Sequence, residues 1–181
     1  TAVCDYFSSI HGVIKSPRLI DSHIFEARVQ IAYVDKLTGL YNRRYLDEVL
    51  EREVALAKRH ADELSLLFFD VDNFKEINDR HGHDAGDLYL QQVAGIIRET
   101  KRVEDIACRY GGEELMLILR NTGPQEALSF GNRILQHVEL TPLEYHGQTI
   151  STTISGGLAS YPQYGETAAD LLQSCETAHY R

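Results

Sequence analysis

The sequence predicts an α/β fold, a β-sheet carrying helices on its faces. Three observations lead there. Residues 64–72, LSLLFFDVD, form an unbroken apolar run of strand length, the pattern of a strand buried on both faces. Segments with apolar residues at helical spacing alternate with strand-like segments along the chain. Two short apolar segments flank a Gly111-Gly112 pair, which makes a hairpin. Loop lengths alone leave the strand order open.

The elements follow in order. In residues 1–34, Val3, Phe7, Ile10 and Ile14, then Ile20, Ile24, Ala27, Ile31 and Val34, recur at three- and four-residue steps. That seam suits a helical stalk or short coiled coil, or equally a helix packed on its own domain. Residues 35–44, DKLTGLYNRR, predict a turn around Thr38-Gly39, with Asn42 capping the next helix. Leu46, Val49, Leu50, Val54 and Ala57 share one face of that helix. After the strand at 64–72, helices are expected over 73–81 and 84–100, and strands over 105–110 and 114–120. A helix over 124–138, strands over 143–149 and 151–160, and a helix from 167 complete the set.

Composition sets the outer limits. A chain of 181 residues has the length of one domain with a short extra segment. Its formal charge of −9 argues against a general nucleic-acid or anionic-membrane binder, which needs a basic face. It leaves room for a nucleotide pocket, where a local Lys and bound cations reverse the field. Cys4, Cys108 and Cys175 are odd in number and form no CxxC pair, so neither a disulfide framework nor a zinc site is indicated. A reducing, cytoplasmic compartment fits them best. The apolar run near Leu66–Phe69 is far short of the roughly 20 residues that span a bilayer. With no initiator Met and a helical pattern already under way, the chain reads as a fragment of a longer protein.

Candidate chemistry gathers at two places. Asp70 stands where a buried strand ends, and a buried charge there needs a structural partner or a cation. Asp72 shares its strand face, and can instead cap the helix that starts at Asn73. Gly111-Gly112-Glu113-Glu114 then joins a tight, unhindered backbone to two acids entering an apolar strand. Alternation sends Glu113 and Glu114 to opposite faces, so one of them can meet Asp70. Two carboxylates from neighbouring strands holding Mg²⁺ on phosphates is the arrangement phosphoryl-transfer enzymes need. His81-Gly82-His83 supplies only two histidines, too few for a zinc site.

Three segments, DKLTGLYNRR (35–44), FDVDNFKEINDRHGHDAGD (69–87) and RYGGEEL (109–115), resemble successive motifs of the GGDEF family, in order and at familiar separations. The likeness runs from about Asp35 to Arg181, the expected catalytic domain. It implies a central, mainly antiparallel five-stranded sheet flanked by helices (α+β), similar to nucleotidyl cyclase and polymerase palm domains. It also implies a diguanylate cyclase, in which two protomers of a homodimer each hold one GTP and together make cyclic di-GMP.

By motif position the resemblance assigns the divalent ions, two Mg²⁺ or Mn²⁺ per site, to Asp70, the carbonyl of Val71 and Glu113, with Glu114 as a further ligand. Glu113 would also help deprotonate the attacking 3′-hydroxyl, and Lys75 would meet the phosphates. Asn78 and Asp87 match the guanine-reading positions. An ionised Asp accepts from guanine N1–H and N2–H, whereas adenine offers it a lone pair. Gly111, Gly112 and His83 would lie beside the nucleotide. Arg102, Asp105 and Arg133 match an inhibitory site for the product. Leu115 stands where the family usually has Phe, a change of packing.

The resemblance further implies an upstream sensory domain and a Lys-containing continuation of the last helix, which ends here at CETAHYR, with His179 in place of a common aliphatic. Two rival readings stand beside the enzyme. One is a silent GGDEF domain that senses cyclic di-GMP or GTP, and the other is a structural dimerisation module driven by the stalk.

Overall fold

The computed structural model describes residues 32–178. The expected stalk lies outside them except for residues 32–34, as does His179. Contacts divide the chain after Ala32, and the fold is that of the unit Tyr33–Arg181.

Twelve elements follow one another among the described residues: β1 (Tyr41–Asn42), α1 (Arg43–His60), β2 (Leu64–Val71), α2 (Phe74–His81), α3 (His83–Thr100), β3 (Ile106–Arg109), β4 (Glu114–Arg120), α4 (Pro124–Glu139), β5 (Leu143–Tyr145), β6 (Gln148–Ile150), β7 (Ile154–Tyr161) and α5 (Ala168–Thr177). The main sheet has the order β1-β3-β4-β2-β7. All of its pairings are antiparallel except β1 with β3. This is the mainly antiparallel five-stranded sheet expected from the motifs.

Strand β2 is apolar on both faces and lies inside the sheet, between β4 and β7. Leu67, Phe69 and Val71 pack with Leu115, Leu117 and Leu119 of β4 against Tyr89, Leu90, Val93 and Ile97 of α3 and Ile134 and Val138 of α4. Leu64, Leu66 and Phe68 pack with Met116 and Ile118 against Leu46, Val49, Leu50 and Val54 of α1 and Leu171 and Cys175 of α5. The sheet is therefore the middle of three layers, and alternation along β2 sends Asp70 to the α1/α5 side. Leu115 is fully buried on the opposite side, so Leu in place of Phe is a matter of packing.

Local signals explain most boundaries. The Asn42 side chain accepts from the backbone N–H of Tyr45 at 3.1 Å, the expected cap of α1. Thr167 and Asp170 form a reciprocal capping box on α5. Glu53, buried on α1, pairs with Arg120 at 2.6 Å and Arg52 at 3.1 Å, tying the helix to the end of β4. Both remaining cysteines, Cys108 and Cys175, are free and buried, and burial pushes each thiol up to about 12.

Three expectations are corrected. The strand expected over 143–149 is the β5–β6 hairpin, a separate two-stranded sheet turning at His146-Gly147, both with positive φ. Those dihedrals suit a tight hairpin, which Asn-Gly or Asp-Gly announces more plainly than His-Gly. The turn at 35–44 also hides β1, two residues that add a parallel edge to β3. Asp72 does not cap α2. Its carboxylate accepts from the Ser155 hydroxyl at 2.6 Å and from the Thr153 hydroxyl, closing β7 onto the end of β2.

Gly157 of β7 sits against the end of α5, where an added Cβ would meet the Cys175 carbonyl oxygen at 2.0 Å and that of Ala178 at 2.4 Å. Backbone cannot step aside as a side chain can. Gly157→Ala is therefore expected to destabilise the domain by about 1–3 kcal/mol, measured as a lower denaturation midpoint. An unchanged midpoint would show that α5 is not packed this closely.

Candidate active site

The end of β2 and the start of β4 set the site. Antiparallel register places Asp70 directly opposite Glu114, and Ser155 of β7 opposite Asp70 on its other side. Beyond them opens a cleft of ≈ 660 Å³ lined by Arg43, Phe68, Asp70, Asp72, Tyr110, Glu114, Ser155 and Glu176. That is the size of a small-molecule site. Of the two motif acids, Glu114 lines the cleft, whereas Glu113 stands half-buried in the turn just before β4.

The two glycines do different work. A Cβ on Gly111 would lie 2.0 Å from Glu114 Oε2, so the bare backbone is what lets that carboxylate fold over the turn. A Cβ on Gly112 would meet nothing within 4 Å, which leaves its side of the turn open to an approaching group. The Tyr110 and Gly111 N–H groups both donate to the Glu114 carbonyl, at 2.8 and 3.3 Å.

The turn is held from outside. Arg109 donates twice to the Gly112 carbonyl, Nε at 3.1 Å and Nη2 at 2.7 Å, while its Nη1 lies 3.3 Å from Asp35 Oδ1. Asp35 in turn accepts from the Thr38 N–H and hydroxyl at 2.9 and 2.7 Å. Burial alone would raise the Asp35 pKa, but the Thr38 hydrogen bonds and the Arg109 charge together hold it below the usual carboxylate range. The first motif is thus physically clamped to the third. Spacing gave no hint of this, because the partners are far apart in sequence.

A second group missed from the sequence lies across the cleft. The Arg43 guanidinium stands over the Tyr110 ring, 4.3 Å from its centroid. Burial first, then the neighbouring Glu176 carboxylate of α5, raises the Tyr110 pKa.

The expected nucleotide-reading residues sit on α2 and α3, the two helices that follow β2. Lys75 is exposed on the first turn of α2, and Asp87 and His83 are exposed on the first turns of α3. Asn78 lies against Gly86, where a Cβ would come within 2.1 Å of Asn78 Oδ1. Gly86, which sequence reading passed over, is therefore what allows the Asn78 amide to reach the start of α3. The structure brings Asn78 next to the helix bearing Asp87, and neither Lys75 nor His83 lines the main cleft.

The donors in the main cleft are carboxylate oxygens, which suit hard divalent cations. Among the described residues no group of three or more His, Cys, Asp or Glu side chains is gathered closely enough to hold a metal ion alone. Mg²⁺ in nucleotide sites is bound by one or two carboxylates together with substrate phosphates, so the Asp70–Glu114 pair fits that use.

Arg102, Asp105 and Arg133 come together elsewhere, in a smaller cavity of ≈ 120 Å³ lined also by Thr122, Glu126, Ser129 and Phe130. Asp105 is buried; its Oδ2 accepts from the Arg102 N–H at 2.9 Å, while its Oδ1 has no hydrogen-bond partner among the described residues. Burial raises its pKa. Arg102 lies 2.5 Å from Glu126, and Arg133 stands over the Phe130 ring.

Comparison with known proteins gives the family and the fold. The family described as "Diguanylate cyclase, GGDEF domain" matches residues 32–181. The response regulator PleD of Caulobacter vibrioides is 38% identical over 155 residues, covering 84% of this chain and 34% of PleD. Diguanylate cyclase TpbB of Pseudomonas aeruginosa is 37% identical over 150 residues, covering 82% of this chain and 34% of TpbB. The chain thus spans about a third of the length of these curated relatives. Among solved structures, the GGDEF domain of DgcB from Caulobacter crescentus in complex with c-di-GMP superposes with a TM-score of 0.77 at 29% identity, covering 80% of this chain and 84% of that one. With the sheet, the glycine turn and a match over residues 32–181 all in hand, the chain belongs to the GGDEF family, the diguanylate cyclase domain.

Proposed function

We propose that this chain is an active diguanylate cyclase domain, joining two GTP into cyclic di-GMP with release of two pyrophosphates. One observation carries the reading: Asp70 and Glu114 face each other across β2 and β4 at the mouth of a nucleotide-sized cleft, beside an unhindered glycine turn.

Asp70, the Val71 carbonyl, Glu113 and Glu114 would hold two Mg²⁺ or Mn²⁺ ions. Such ions, when bound, offset phosphate charge and lower the pKa of a coordinated hydroxyl. Glu113, at the turn, would receive the proton as the 3′-hydroxyl oxygen of one GTP bonds to the α-phosphorus of the other. The α–β bridging P–O bond breaks in that step and pyrophosphate leaves. A second, symmetric attack closes the ring. Each chain supplies half of the reacting pair, so the working unit is a homodimer. Lys75 would stabilise charge on the phosphates, and Asn78 and Asp87 would read guanine, with His83, Gly111 and Gly112 bordering the nucleotide.

The smaller cavity supports control by the product. Guanine N–H donors would satisfy the orphan Oδ1 of Asp105, and Arg102 and Arg133 would take the phosphates. A DgcB domain of the same fold is known with c-di-GMP bound. The same cavity favours a second reading, a silent domain that senses cyclic di-GMP without turnover. An upstream sensory domain would supply the input, and the catalytic unit would work in the cytoplasm. No helix among the described residues is long and apolar enough to cross a membrane.

Purified protein with GTP and Mg²⁺ or Mn²⁺ is expected to release pyrophosphate and form cyclic di-GMP, while ATP gives neither. Binding of cyclic di-GMP without any turnover would select the silent reading. Glu113→Gln is expected to lower kcat roughly 10²- to 10⁴-fold with an unchanged melting temperature, and full activity in that variant removes the assigned role. In Arg102→Ala, inhibition by added cyclic di-GMP should weaken roughly 10-fold or more, the loss of a charge-assisted contact. An unaltered inhibition curve would put the product elsewhere.

A further inference from the structure

Among the described residues, four carboxylates line the main cleft, from Asp70, Asp72, Glu114 and Glu176, and Arg43 is the one cation lining it. Lys75, the expected phosphate partner, does not line it. A triphosphate brought to this wall needs a positive partner besides metal ions, because its charge repeats that of the carboxylates.

Arg43 is built to serve. It is the first residue of α1, directly after the Asn42 cap, so its place is fixed by a well-anchored helix start. Among the described residues its guanidinium makes no ion pair, although its neighbour Arg44 pairs with Glu48 at 3.1 Å. Instead it lies over the Tyr110 ring. Stacking uses the face of a guanidinium and leaves its N–H edge free to donate in the plane, the geometry that binds phosphate with two hydrogen bonds. The ring itself lines the cleft together with Glu176 of α5. Two segments thus meet on one cation: α1 carries it, and the segment before the glycine turn supports it.

We propose that Arg43 is a nucleotide-contacting residue whose guanidinium, stacked on Tyr110, donates to the phosphates of the nucleotide held in this cleft. Tyr110 is its positioning residue. The inference deepens the cyclase reading and rests on it.

The test measures binding of Mg²⁺–GTP and Mg²⁺–pyrophosphate by calorimetry, with kcat, KM and melting temperature, for wild type, Arg43→Gln, Arg43→Lys, Tyr110→Ala and Arg44→Gln. Arg43→Gln should weaken both ligands by a similar factor, roughly 10- to 100-fold, as for loss of charge-assisted hydrogen bonds. Arg43→Lys should recover part of that loss through its charge. Tyr110→Ala should weaken both ligands less than Arg43→Gln, and Arg44→Gln should leave both unchanged. If wild type binds GTP and Arg43→Gln binds it as well as Arg44→Gln does, this inference alone fails. A loss that comes with a lower melting temperature and no recovery in Arg43→Lys makes Arg43 a packing residue and also overturns it. Wild-type protein that binds no Mg²⁺–GTP overturns the cyclase reading, and this inference with it.

Discussion

The register between β2 and β4 is the constraint on which the rest depends. It sets two acids, Asp70 and Glu114, opposite each other at the open end of an otherwise apolar ladder. Like charges in that position weaken a strand pair, so the arrangement persists only where neighbouring positive charge or the stability of the remaining ladder outweighs it. The ladder is strong here. From Leu64 with Arg120 to Phe69 with Leu115, six pairs precede the acidic one, and most are apolar on both strands.

That ladder also protects the site from slipping. A one-residue shift of β2 would turn Leu67 and Phe69 away from α3 and α4 and send Asp70 into their core. Both faces of β2 are packed, so every alternative register buries a charge or exposes a large apolar side chain. The core therefore selects the chemistry. Residues that never touch a nucleotide decide which face receives the carboxylates, and they place them beside α1 and α5.

Much of this was legible in the sequence because it depends on local pattern. The apolar run of β2, the glycine pair before β4, the Asn42 cap and the face of α1 are all set by neighbours within a few residues. The contacts that escaped are of two other kinds. Some rest on unusual turn residues, such as His146-Gly147, whose left-handed dihedrals suit Asn or Asp better. Others join distant segments: Asp35 with Arg109, Arg43 with Tyr110, Asn78 with Gly86. The choice between Glu113 and Glu114 falls in this second class. Alternation says that the two acids part company, but only the register with β2 shows which of them meets Asp70.

Those distant contacts share an origin that bears on how the cleft is built. Asp35 and Thr38 hold Arg109, and through it the Gly112 carbonyl of the signature turn, while Arg43 covers Tyr110 beside that turn. All three belong to residues 35–43, the segment that leads into α1. A displacement of this segment would therefore loosen the turn and move Arg43 together. The carboxylates are fixed by the core, whereas the turn and the cation are fixed by the entry segment.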